Sequence, residues 1–147
     1  MSDLHGRTVL VTRPSEDAAP WAAEIARRGG RPVLLPCLVT EPVRDARTAA
    51  ALREALAGAA WLAVTSRRAV SAVEELLGGA ALPADVKVAA VGPETGRSAE
   101  RAFGRVDLVA AAGHGASLAG ELAAALASLS GGARRRVVVP AADRAGR

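Results

Sequence analysis

Short apolar runs alternate with stretches of helical periodicity from one end of the chain to the other. The runs are Thr8 to Val11, Pro32 to Val39, Trp61 to Val64, Val86 to Val91, Val106 to Ala110 and Arg136 to Val139. Most are continuous rather than alternating, the pattern of strands covered on both faces. Between them lie segments with helical start and stop signals. Ser15 can cap a first helix with Glu16 and Asp17 in its opening turn, Trp21 and Ile25 on its apolar face and Gly29-Gly30 at its end. Pro20 fits that helix only in the first turn. Thr48 to Leu56, Arg68 to Leu77, Glu94 to Phe103 and Ser117 to Leu129 supply four more helices. Repeated β-α-β alternation predicts an α/β fold with a doubly wound parallel sheet and right-handed crossovers.

One seam interrupts the alternation. Thr40-Glu41-Pro42-Val43-Arg44-Asp45 is polar and contains a proline, which suits a linker. Residues 1–39 then read as the β-α-β opening of one domain. Residues 40–147 read as a second one.

Composition narrows the function classes. A chain of 147 residues with 50% hydrophobic content can bury a core. Its single cysteine, Cys37, forms no internal disulfide and sits in an apolar run as a small core residue. Met1 to Gly6 is polar and the short apolar run after it is interrupted at Arg13, so no signal peptide is expected; no apolar run approaches the roughly 20 residues that span a bilayer, and a cytoplasmic protein is expected. The net charge of +4 raises nucleic acid as a partner. Against it, the only aromatics are Trp21, Trp61 and Phe103, too few for base stacking, and all the cations but Lys87 are arginine in an alanine-rich chain.

In open parallel sheets, ligands bind beyond the carboxyl ends of the strands, where helix N-termini present backbone N–H groups. The five strand-to-helix turns are Thr12-Arg13-Pro14-Ser15, Thr65-Ser66-Arg67-Arg68, Gly92-Pro93-Glu94-Thr95, Gly113-His114-Gly115-Ala116-Ser117 and Pro140-Ala141-Ala142-Asp143-Arg144. Four carry a hydroxyl residue, three carry arginine, and two carry glycine that lets backbone approach a ligand. Together they describe a receptor for an anion. Singly, Ser15, Ser66, Thr95 and Ser117 stand where N-caps belong, and capping alone accounts for each. Arg67 and Arg68 fit a solvated face equally well. Neither the dinucleotide nor the P-loop phosphate fingerprint occurs. Two histidines, His5 and His114, and one cysteine give no ordinary metal-ligand spacing, so no metal is expected. His114 reads as a solvated loop residue, and both tryptophans read as core.

The turns, in this order, resemble those of the uroporphyrinogen-III synthase family. Gly6-Arg7-Thr8-Val9-Leu10-Val11-Thr12-Arg13-Pro14 is similar to its first strand and turn. Trp61-Leu62-Ala63-Val64-Thr65-Ser66-Arg67-Arg68-Ala69-Val70 resembles its element of a hydrophobic strand followed by Thr-Ser-x-x-Ala-Val. Val88-Ala89-Ala90-Val91-Gly92-Pro93-Glu94-Thr95 resembles its Val-Gly-x-x-Thr turn, Ala116-Ser117-Leu118 its Ala-Ser-Leu helix start, and Val137-Val138-Val139-Pro140 a later strand. The resemblance implies two α/β domains joined by a two-strand linker, with the substrate in the cleft between them. It implies a lyase that cyclises the linear tetrapyrrole hydroxymethylbilane to uroporphyrinogen III, inverting the last pyrrole ring and losing water, without cofactor or metal. The alternative is a non-catalytic module that binds a tetrapyrrole or another polyanion.

By the same resemblance Thr95 matches a hydroxyl that assists departure of the leaving group, while Ser66, Gly92 and Ser117 match cleft-lining positions. Thr12 and Arg13 match the cleft face of the first domain, and Arg67 follows Ser66 in the second turn as an anion contact. The family's tyrosine near the leaving group has no counterpart, since the chain contains no tyrosine. The resemblance further implies that residues 40–147 are a second domain, near-complete but for a last helix and strand. The family pattern is covered only a little beyond half, so the reading frame is expected to continue past Arg147. A full-length chain would be a monomer; a shorter one could exchange elements with a second copy.

Overall fold

The computed structural model describes residues 3–37, 39–128 and 135–142. Within them the order is β1 (Thr8–Val11), α1 (Ser15–Arg27), β2 (Arg31–Leu34), α2 (Ala46–Ala57), β3 (Trp61–Val64), α3 (Arg67–Leu77), β4 (Lys87–Val91), α4 (Gly92–Phe103), β5 (Leu108–Ala110), α5 (Gly115–Ala127) and β6 (Val137–Val138). The chain divides into two compact units, Met1–Pro42 and Val43–Arg147. All strand pairs are parallel, as the continuous apolar runs predict.

In the first unit β1 and β2 pair in register from Thr8 with Arg31 to Val11 with Leu34. Helix α1 lies on one face, where Val11, Ala18 and Ile25 are buried and Leu4 and Val9 pack beside them. Four expectations fail here. The second strand was read to Val39 but ends at Leu34, because β1 offers only four residues to pair with. Beyond it the chain stays alongside β1 through the amides of Leu35 and Cys37, which donate to the Val11 and Thr12 carbonyls. Cys37 is therefore exposed rather than core, its thiol 3.3 Å from the Leu35 carbonyl oxygen, and Leu38 lies outside the described residues. Trp21 is 53% exposed, since a two-stranded sheet is too narrow to cover the whole apolar stripe of α1. Pro20 stands inside the helix beyond the first turn, where it contributes no N–H to the intrahelical ladder.

The second unit is a four-stranded sheet in the order β5-β4-β3-β6. Along β3, Leu62 and Val64 join Val88 and Ala90 of β4 under α2, α3 and α4, in a cluster that includes Leu56, Val70, Val73, Leu77 and Ala99. Trp61 and Ala63 point the other way. With Ala89 and Ala110 they pack under Leu118 and Leu122 of α5. Helices on both faces make the unit doubly wound. The faces follow from the strand order: α3 and α4 step outward from β3 to β4 to β5, and α5 carries the chain back across to β6. A constant crossover handedness requires that returning helix to lie on the opposite face.

Two side chains fasten the lower end of the sheet, where the strands begin. The Arg105 guanidinium donates to the carbonyls of Pro83 and Val86 at 2.5 and 2.7 Å, and Asp107 Oδ2 accepts from the Val88 amide at 2.7 Å. Helix α2 begins two residues earlier than its hydrophobic pattern indicates, because Asp45 caps it by accepting from the Thr48 N–H at 2.8 Å. That bond holds the Asp45 carboxyl below the usual carboxylate range. Among the described residues, no helix is long and apolar enough to cross a membrane.

Candidate functional site

Parallel pairing sends the carboxyl ends of β3, β4 and β5 to the same end of the sheet, and with them the turns that carry Ser66, Gly92, Thr95 and Ser117. These residues therefore gather at one rim of the second unit. At that rim the chain leaves β4 toward α4 on one face and leaves β5 toward α5 on the other. Two adjacent turns departing in opposite directions mark the position at which open α/β sheets form a ligand crevice.

The β4–α4 turn is the tightest part of the rim. Gly92 is buried with φ of +71°, and a Cβ on it would stand 3.6 Å from the Cα of Gly113 in the neighbouring β5–α5 turn. Gly92 is the first residue of α4 and Pro93 the second, so the helix starts earlier than a Gly-Pro pair suggests. Proline is at home there because its missing N–H belongs to the first turn, which has no intrahelical partner. Thr95 is consequently not an N-cap. It lies inside α4 with only 6% of its surface exposed, the one buried polar residue among those described. No side chain caps α4, in contrast to its neighbours. The helix also lies close to β5, since Gly96 faces Val109 where a Cβ would approach Cγ2 to 3.0 Å.

Ser66 does cap its helix, its Oγ accepting from the Ala69 N–H at 3.1 Å. Arg67 is the first residue of α3 and is exposed. In the β5–α5 turn the cap is His114, whose Nδ1 accepts from the Ser117 N–H at 3.2 Å. Ser117, expected as the cap, instead occupies the first turn of α5 and donates from Oγ to Glu121 Oε1 at 2.8 Å. A neutral imidazole nitrogen accepts as well as a hydroxyl does, which a search for hydroxyl caps overlooks. Glu121 was missed as well. Its only trace in the sequence is the spacing of four residues from Ser117, one helical turn apart.

Thr12 and Arg13 stand at the carboxyl end of β1 in the first unit. There the Arg13 guanidinium lies over the Trp21 ring, 5.1 Å from its centroid. Ser15 does not cap α1, which follows Pro14 without a side-chain cap. Asp143 and Arg144 of the fifth turn lie outside the described residues. Among the described residues, no three His, Cys, Asp or Glu side chains are grouped to hold a metal ion.

A family model described as uroporphyrinogen-III synthase HemD matches residues 19–147. The chain belongs to the uroporphyrinogen-III synthase family. The match spans both faces of the four-stranded sheet and every turn of the crevice, while Thr12 and Arg13 precede it. Uroporphyrinogen-III synthase chemistry and a small tetrapyrrole substrate are thereby the family-level setting of the site.

Capping and ligand contact can be separated at Ser66. Aspartate caps a helix as well as serine does, so Ser66→Asp is expected to keep thermal stability within about 0.5 kcal/mol. It also brings a negative charge to the rim. If the turn receives an anion, the same variant binds a polycarboxylate at least about tenfold more weakly, corresponding to roughly 1.4 kcal/mol of added repulsion. Equal affinity for the variant and the parent, by titration calorimetry, would leave Ser66 with capping alone.

Proposed function

We propose that this chain is a uroporphyrinogen-III synthase that cyclises hydroxymethylbilane to uroporphyrinogen III with inversion of the last pyrrole ring and loss of water. The observation that carries the reading is the convergence of Ser66, Gly92, Thr95 and Ser117 on one rim, at the reversal of winding between β4 and β5, in a chain of this family.

The chemistry asks little covalent help from the protein. The electron pair of the terminal pyrrole expels the hydroxyl group and leaves an electrophilic azafulvene. The substituted carbon of the last ring then attacks in place of its free position, and the resulting spiro intermediate opens and recloses with that ring inverted. The pyrrole gives up a proton, and the departing hydroxide leaves as water. Thr95 is the residue we assign to this departure: a buried hydroxyl at the crevice donates to the leaving oxygen as negative charge develops on it. The first-turn amides of α4, which no side chain caps, together with Arg67 on α3, receive substrate carboxylates and fix the bend of the linear chain. Thr12 and Arg13, at the strand end of the first unit, are further carboxylate contacts. We place the domain boundary near residue 40, in keeping with the polar segment before α2.

Freshly prepared hydroxymethylbilane incubated with the chain and resolved into isomers I and III tests the reading. Isomer III in excess of the spontaneous product supports it. Isomer I alone, at the uncatalysed rate, overturns the enzyme assignment; saturable tetrapyrrole binding under those conditions would identify a silent binding module.

A further inference from the structure

Glu121 belongs to none of the motifs that led to the rim, yet its carboxylate organises the β5–α5 turn. Ser117 Oγ donates to Glu121 Oε1 at 2.8 Å, and the Ala111 backbone N–H donates to the same oxygen at 3.1 Å. A carboxylate accepts hydrogen bonds and donates none, so the single hydroxyl proton of Ser117 is directed at Glu121. What Ser117 can turn toward a ligand is its lone pairs. The Ser117 amide is engaged as well, by His114 Nδ1 at 3.2 Å. Three donors of this turn thus point inward, and a carboxylate stands behind them. Such a wall attracts donors and repels carboxylates, the reverse of the uncapped start of α4 across the crevice.

Resting on the tetrapyrrole reading above, we infer that Glu121 is a positioning residue that makes Ser117 an acceptor for a pyrrole N–H of the substrate. A pyrrole nitrogen has its lone pair in the ring and offers only a donor. Its natural partner is an oxygen whose own proton is held elsewhere. The β5–α5 wall then meets the nitrogen edge of the tetrapyrrole, and the carboxylated edge turns toward α3 and α4. Ser117 and Glu121 together set which way the ligand faces, a specificity role distinct from carboxylate binding.

Two ligands separate these roles in anaerobic titration calorimetry on the full chain. Uroporphyrinogen III carries pyrrole N–H groups and carboxylates; benzenehexacarboxylate carries carboxylates only. Glu121→Ala and Ser117→Ala are each expected to weaken uroporphyrinogen III binding about tenfold, the effect of one hydrogen bond worth roughly 1.4 kcal/mol. Benzenehexacarboxylate affinity is expected to hold or rise in Glu121→Ala. Glu121→Gln, whose amide oxygen still accepts from Ser117 and Ala111, restores the ratio of the two affinities. A merely structural loss of α5 would lower both affinities together and is not rescued by glutamine; that result, or an unchanged ratio in Glu121→Ala, overturns the inference. Failure of the unaltered chain to bind either ligand overturns the functional reading itself, and this inference with it.

Discussion

Leu62→Ala is expected to produce the largest loss of stability of any single truncation in the second unit. Leu62 has no exposed surface and lies in a central strand, where its side chain meets α2, α3 and α4 through the cluster of Leu56, Val64, Val70, Val73 and Val88. Helices and sheet close around it from several directions, so the void left by three missing carbons cannot collapse. Large-to-small changes at such positions cost about 2–5 kcal/mol, a lost transfer term plus a cavity term. For a domain of about 100 residues each kcal/mol lowers the melting temperature by roughly 4–8 °C, which places the expected drop at about 10–20 °C or more. Leu34→Ala supplies the contrast. Leu34 is 52% exposed on the first unit's sheet, and its truncation is expected to stay within about 0.5 kcal/mol. Scanning calorimetry of both variants checks the pair; similar losses at the two positions would contradict the placement of the core.

The second large effect is expected at Gly92. Its φ of +71° lies in the left-handed region, where a β-branched residue is strained by roughly 1–3 kcal/mol. The Cβ itself has room at 3.6 Å from Gly113, so the penalty is conformational first and steric second. Gly92→Val therefore either melts the first turn of α4 or rotates it out of the left-handed region. Both displace Thr95 and the uncapped amides of α4 from their places at the rim. Gly92→Asn is the control, because asparagine tolerates positive φ. The expected outcome is a lowered melting temperature with lost tetrapyrrole binding for valine, and near-parent behaviour for asparagine. Equal behaviour of the two variants would remove the left-handed backbone from the account.

Much of this architecture was legible before any coordinates. β1 and β3 begin and end where their apolar runs do, and the parallel sheet followed from runs without alternation. What escaped the sequence has physical causes that recur from residue to residue. Pairing needs a partner, and the run from Pro32 to Val39 outlasts β1; no property of that run announces that its neighbour is shorter. Burial needs a cover, and Trp21 faces a sheet of two strands. Helix starts were placed at hydroxyl residues, whereas Gly92-Pro93 and His114 open their helices by backbone conformation and by a ring nitrogen. Three of the five turns read as one receptor do share a rim, since strand ends of a parallel sheet must share a side; the Thr12 turn belongs to the other unit, and Asp143 and Arg144 lie outside the described residues. The polarity of each turn was not legible: which donors remain for a ligand depends on partners such as Glu121, whose one trace in the sequence is its spacing of four residues from Ser117.

The clasp formed by Arg105 and Asp107 sits at the strand beginnings, as far from the crevice as the sheet allows. Alignment of β4 with β5 is thus secured from the end of the sheet opposite the rim. The loops at the rim are relieved of any duty to hold the strands in step. They are free to change length, charge or hydrogen-bonding character as the guest demands, while the frame beneath them keeps its shape.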